Sequence, residues 1–87
     1  MKPMDKLFAL YNAHIDQLER TGHELNALYP ESATSPIRRK TREQFEAYLL
    51  GPPSDFKRET LLRLVGENHE LLRELPSPVQ SLIRQAA

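Results

Sequence analysis

Residues 4–29 read MDKLFALYNAHIDQLERTGHELNALY, and the reading of this stretch decides the fold. Met4, Phe8, Tyr11, Ile15, Leu18, Gly22, Leu25 and Tyr29 follow one another at alternating steps of four and three. That spacing marks one face of an α-helix and the seam of a coiled coil or bundle. No proline falls between Met4 and Pro30, so the pattern predicts one helix of about seven turns. Leu7, His14, Leu10 and Leu28 widen the apolar arc beyond a two-stranded seam, which predicts contact with two neighbours. The expectation is a rigid rod whose apolar side exceeds what its own chain shelters. Gly22, inside that arc, reads as a close helix approach or mild bend, or else as a hinge or partner groove.

Outward from this helix, Tyr29 to Ser35 carries loop chemistry. Ser35 as N-cap and Pro36 at the first helical position predict a second helix to about Leu50, with Ile37, Thr41, Phe45, Tyr48 and Leu49 inward. Gly51-Pro52-Pro53 ends it. Ser54 or Asp55 caps a third helix expected to run to about Leu75, with Leu61, Leu64, Val65, Asn68, Leu71, Leu72 and Leu75 on one face. Phe56 falls on the other side, tucked under the preceding turn. Pro76 stops that helix, and Ser77-Pro78-Val79-Gln80 has the pattern of a capping box that opens a short last helix. The fold class expected is all-α: a small bundle of two long and two short helices, long-short-long-short and roughly antiparallel, in one domain spanning residues 1–87.

A faint internal echo accompanies this order. His23-Glu24-Leu25 and His69-Glu70-Leu71 precede Pro30 and Pro76 by the same interval, and Ile15 and Leu18 fall in register with Leu61 and Leu64.

Composition narrows the chemistry. Twelve basic residues balance twelve acidic ones, so no global field draws the molecule toward nucleic acid or anionic lipid. The chain has no cysteine, which removes disulfides, thiolate catalysis and cysteine zinc sites. The N-terminus lacks the apolar run of a signal peptide and no window has the length of a membrane span, so the expected compartment is the cytoplasm. His14, His23 and His69 make no i, i+4 pair, and no metal site is expected. Phosphate-binding glycine loops and nucleophile elbows are missing too. The expectation is a non-enzyme with no catalytic residues and no cofactor.

Two features break local rules. Arg38-Arg39-Lys40-Thr41-Arg42 places four positive charges in what the pattern makes the first turns of the second helix, where the dipole favours negative groups. Arg39–Glu43 and Arg42–Glu46 ion pairs, or stems lying over Phe45 and Leu49, would make the cluster structural. Otherwise Arg38, Arg39, Lys40 and Arg42 are the candidate partner-binding residues, for an acidic protein surface or for phosphate. Asn68, alone on a leucine-rich face, predicts a hydrogen bond to a second copy's Asn68 or to backbone.

The functional expectation is a small protein–protein interaction module: an adaptor, small chaperone, or regulatory or inhibitory subunit, possible as a homodimer, acting through an exposed helix face and the basic cluster. The alternative is a nucleic-acid-binding regulator using the cluster from Arg38 to Arg42. Its would-be recognition helix carries five acids against four bases, the wrong balance for phosphate.

Overall fold

The computed structural model describes residues 2–29, 37–52, 54–66 and 68–84. Among them the chain forms six helices and no strand: α1 (Pro3–Arg20), α2 (Leu25–Leu28), α3 (Arg42–Leu50), α4 (Asp55–Gly66), α5 (His69–Glu74) and α6 (Ser77–Arg84). The small all-α bundle is as the apolar spacing predicts. The rod is not, because both long elements are divided.

α1 starts at Pro3, where a missing amide proton costs nothing, with Asp5 in its first turn and Arg20 in its last, both matched to the dipole. It stops at Arg20. The Gly22 amide donates to the Glu19 carbonyl at 3.1 Å and the His23 amide to the Leu18 carbonyl at 3.3 Å. With Gly22 at φ +82°, these two bonds are a Schellman motif, which ends a helix by turning one residue left-handed. A Cβ added to Gly22 would meet nothing within 4 Å. The glycine is therefore there for its positive φ, and the close-approach reading is corrected. After the turn, α2 returns Leu25 to the core.

The second expected correction concerns surplus apolar surface. Leu7, Tyr11 and Ile15 of α1 are fully buried, and Met4, Phe8, Leu10 and Leu18 are partly buried against the core. α1 touches α3, α4 and α5, one neighbour more than expected. The large apolar side chains left exposed among the described residues are Leu28 and Leu50, at 59% and 76%. A single chain thus shelters the face that was to be the docking surface, and the argument for a second copy from surplus apolar area loses its premise.

α3 begins six residues later than Pro36. Thr41 is its N-cap: the Gln44 amide donates to Thr41 Oγ1 at 3.2 Å, and the Thr41 amide donates to Gln44 Oε1 at 3.0 Å. That reciprocal pair is a capping box, and it moves residues 37–41 out of the helix. The expected cap at Ser35 and Pro36 lies outside the described residues. Phe45, Tyr48 and Leu49 face inward as expected, and Gly51 follows the last turn in an extended conformation.

Ser54 Oγ accepts from the Lys57 amide at 3.1 Å and caps α4. Phe56 is buried as expected, its ring centroid 4.5 Å from that of Tyr29. α4 ends at Gly66 instead of continuing to Leu75. The Asn68 amide reaches the Val65 carbonyl at 3.0 Å and its Nδ2 donates to the Leu64 carbonyl at 3.1 Å. Asn68 thus makes the backbone bond that its oddity predicted, at a helix junction where glycine weakens the helix and a short amide competes for its carbonyls. α6 starts at Ser77 itself, and Gln80 Nε2 donates to the Leu75 carbonyl at 2.6 Å.

The core joins the elements through an aromatic block. Tyr11 lies 5.1 Å from Phe45 and 5.4 Å from Tyr48 between ring centroids, and Phe8 lies 5.7 Å from Phe45. Tilted pairs at these separations add about 0.5–1.5 kcal/mol each beyond area burial. They fix α3 to α1, and that fixes where the basic segment lies.

Candidate functional site

Residues 37–41 form a non-helical segment between α2 and α3, bent at Ile37 and Arg38 and laid along α1. Its first anchor is Ile37, buried, with its amide donating to Asn26 Oδ1 at 3.0 Å. The second anchor is Lys40. Its amide donates to Asn12 Oδ1 at 3.0 Å, and Asn12 Nδ2 donates to its carbonyl at 3.1 Å. Asn12 is itself buried on α1. Its carboxamide does for this segment what a neighbouring strand does in a sheet, satisfying one backbone donor and one acceptor.

The four basic residues have four different fates. Arg38 is exposed, and among the described residues its guanidinium has no hydrogen-bond or ion-pair partner. Arg39 pairs with Asp16 of α1, with side chains 60% and 33% exposed. Lys40 turns inward: its Nζ donates to Tyr11 Oη at 3.0 Å and lies 4.7 Å from the Tyr48 ring centroid. Arg42 is held three ways, by Asp5 at 3.0 Å, Glu46 at 3.5 Å and the Met4 carbonyl at 3.5 Å.

This arrangement removes the broken rule. Arg38, Arg39 and Lys40 precede the helix, and the charges of Arg39 and Lys40 are met by Asp16 and Tyr11 of α1. Only Arg42 lies in the first turn, alongside Glu43. The Arg42–Glu46 pair forms as expected. Arg39 instead meets Asp16, since it is not helical and does not stand one turn from Glu43. Asp5, Asn12 and Asp16, spaced by seven and four, share a flank of α1 and receive the segment.

Sequence reasoning missed Asn12 and also Lys57. Lys57 is 2% exposed, and its Nζ donates to the carbonyls of Gly51 at 3.2 Å and Pro52 at 2.8 Å while lying 4.8 Å from the Tyr48 ring centroid. Pro52 and Pro53 bring no backbone amide to the turn after α3, and a lysine from the next helix meets the Gly51 and Pro52 carbonyls there. The sequence signal was the proline pair, which leaves acceptors needing a donor nearby.

Elsewhere, His14 is half-buried while His23 and His69 are exposed. No group of three or more His, Asp or Glu among the described residues is arranged to hold a metal ion. An open groove of about 400 Å³ lies between the end of α1 and α2, floored by Leu25 and Ile37 and rimmed by Glu19, His23 and Glu24. No helix among the described residues is long and apolar enough to cross a membrane.

The chain matches no family model, and no curated protein or solved structure was found to be similar to it.

Proposed function

We propose that this domain is a small non-enzymatic protein–protein interaction module that presents Arg38 and Arg39 to an acidic partner. The observation that carries this reading is the placement of these two residues between fixed points. Ile37 is seated in the core and the Lys40 backbone is clamped by Asn12, so the two arginines project from backbone that is already ordered. Ordering such a segment before binding removes part of the entropic cost of association. Guanidinium groups suit the purpose because their planar donor fork matches a carboxylate in two parallel hydrogen bonds.

The module works without a helix face, because α1 is covered. Lys40 and Arg42 become the holders of the segment, and Arg38 and Arg39 its contact residues. Opposite charge would steer the encounter, so binding falls with ionic strength.

Comparison of wild type with an Arg38→Ala/Arg39→Ala variant, each at native expression in the source organism, tests the reading by quantitative co-purification. The variant is expected to keep its far-UV circular dichroism and to lose an acidic protein that wild type retains. Identical co-purifying proteins for both forms would overturn it. Recovery of nucleic acid in place of protein would do so too.

A further inference from the structure

The four basic side chains are held to graded degrees. Arg42 has three acceptors. Lys40 lies against two tyrosines. Arg38 is free among the described residues, and Arg39 stands between these extremes with one carboxylate. That carboxylate, Asp16, is one helical turn from Asn12 on α1, so the residue that clamps the segment and the one that holds Arg39 share a rigid support.

We propose that Asp16 is an internal stand-in for the partner's carboxylate: it holds the Arg39 guanidinium in the free protein and gives it up on binding. This rests on the interaction reading above and adds a regulatory residue to it. The exchange is cheap for two physical reasons. Water reaches the pair, with Arg39 60% and Asp16 33% exposed, and screens it, so breaking it costs little. The exchange also needs only side-chain rotation, because Lys40 and Ile37 hold the backbone whether or not Arg39 is paired. An incoming peptide that presents adjacent carboxylates can meet Arg38 at once and then displace Asp16 from Arg39. Asp16 thus lowers affinity only for ligands that must engage Arg39, and leaves a lone carboxylate at Arg38 unaffected.

Fluorescence anisotropy with a labelled oligoglutamate peptide tests this, using full-length wild type, Asp16→Asn, Asp5→Asn and Arg38→Ala/Arg39→Ala, each checked for unchanged far-UV circular dichroism. Asp16→Asn is expected to bind about two- to fivefold more tightly than wild type, the range that the loss of one exposed competing ion pair allows. Asp5→Asn changes the net charge equally but leaves Arg42 held by Glu46 and the Met4 carbonyl, so it is expected to bind as wild type does. Equal affinity of Asp16→Asn and wild type, with binding still lost in the double-arginine variant, would overturn the role of Asp16 and leave the interaction reading standing. Equal tightening by Asp5→Asn would reduce the effect to net charge and overturn it as well. Absence of binding by wild type and Asp16→Asn alike would remove the acidic-partner reading, and this inference with it.

Discussion

Gly22 is the residue on which the sequence and the structure part. In the apolar stripe its position fits a continuous helix, since Leu25 and Tyr29 keep the three-and-four spacing beyond it. The spacing survives because α2, after a left-handed turn, again points Leu25 inward. Periodicity records which residues are buried and is blind to one residue of reversed φ between them. Thr21-Gly22 carried the stop signal. Gly22→Ala forces a Cβ into the left-handed region and is expected to lower stability by about 1–2 kcal/mol, measured by urea denaturation, although open space surrounds the site. No loss would mean that the left-handed turn is not populated. Lys57 was illegible for another reason: a lysine between Phe56 and Arg58 carries no mark of burial, and its burial follows from the Gly51 and Pro52 carbonyls in the turn after α3. Lys57→Met keeps the stem and removes the ammonium, and its loss of charged hydrogen bonds to Gly51 and Pro52 is expected to cost about 2–3 kcal/mol in the same assay.

At the scale of elements, the boundaries marked by proline were legible, at Leu50, Asp55 and Ser77, while the breaks after Arg20 and Gly66 and the start of α3 were not. The inward residues Phe45, Tyr48, Leu61, Leu64, Val79 and Ile83 follow directly from the apolar spacing. Ser35-Pro36 was the expected cap of this helix, and the structure caps α3 with Thr41 and Gln44 instead. That choice moved Arg38, Arg39 and Lys40 from the first turns of a helix into a bent, non-helical segment. Thr41→Val removes the hydroxyl acceptor while keeping the shape, and it is expected to cost about 1 kcal/mol. Circular dichroism of that variant should show fraying confined to a small part of the helical signal. The internal echo also gains physical content here. The same interval separates the ends of α1 and α4, Arg20 and Gly66, and the ends of α2 and α5, Leu28 and Glu74. Ile15 and Leu61 are both fully buried, as are Leu25 and Leu71 nearly so. The chain twice builds a helix, a break and a short return helix, although its two breaks use different chemistry: a left-handed glycine in one, an asparagine side chain in the other.

On the scale of the whole molecule, α1 is the centre, packed on α3, α4 and α5 and carrying the flank that receives residues 37–42. The balance of twelve acids and twelve bases has a local expression there, in Asp16 with Arg39 and Asp5 with Arg42. These contacts join residues far apart in sequence, which is why a reading by local spacing found the basic cluster but not its acceptors. The same separation hid Asn12, an ordinary polar residue until Lys40 is laid beside it.

Residue-resolved amide hydrogen exchange tests this fixed segment most directly. The amides of Ile37 and Lys40 are expected to show clear protection, set by their bonds to Asn26 and Asn12, while those of Arg38 and Arg39 exchange near the rate of an open chain. Asn12→Ala should abolish protection at Lys40 and leave α6 untouched. Uniformly fast exchange from residue 37 to residue 40 in the wild-type protein would contradict the two-anchor display of Arg38 and Arg39.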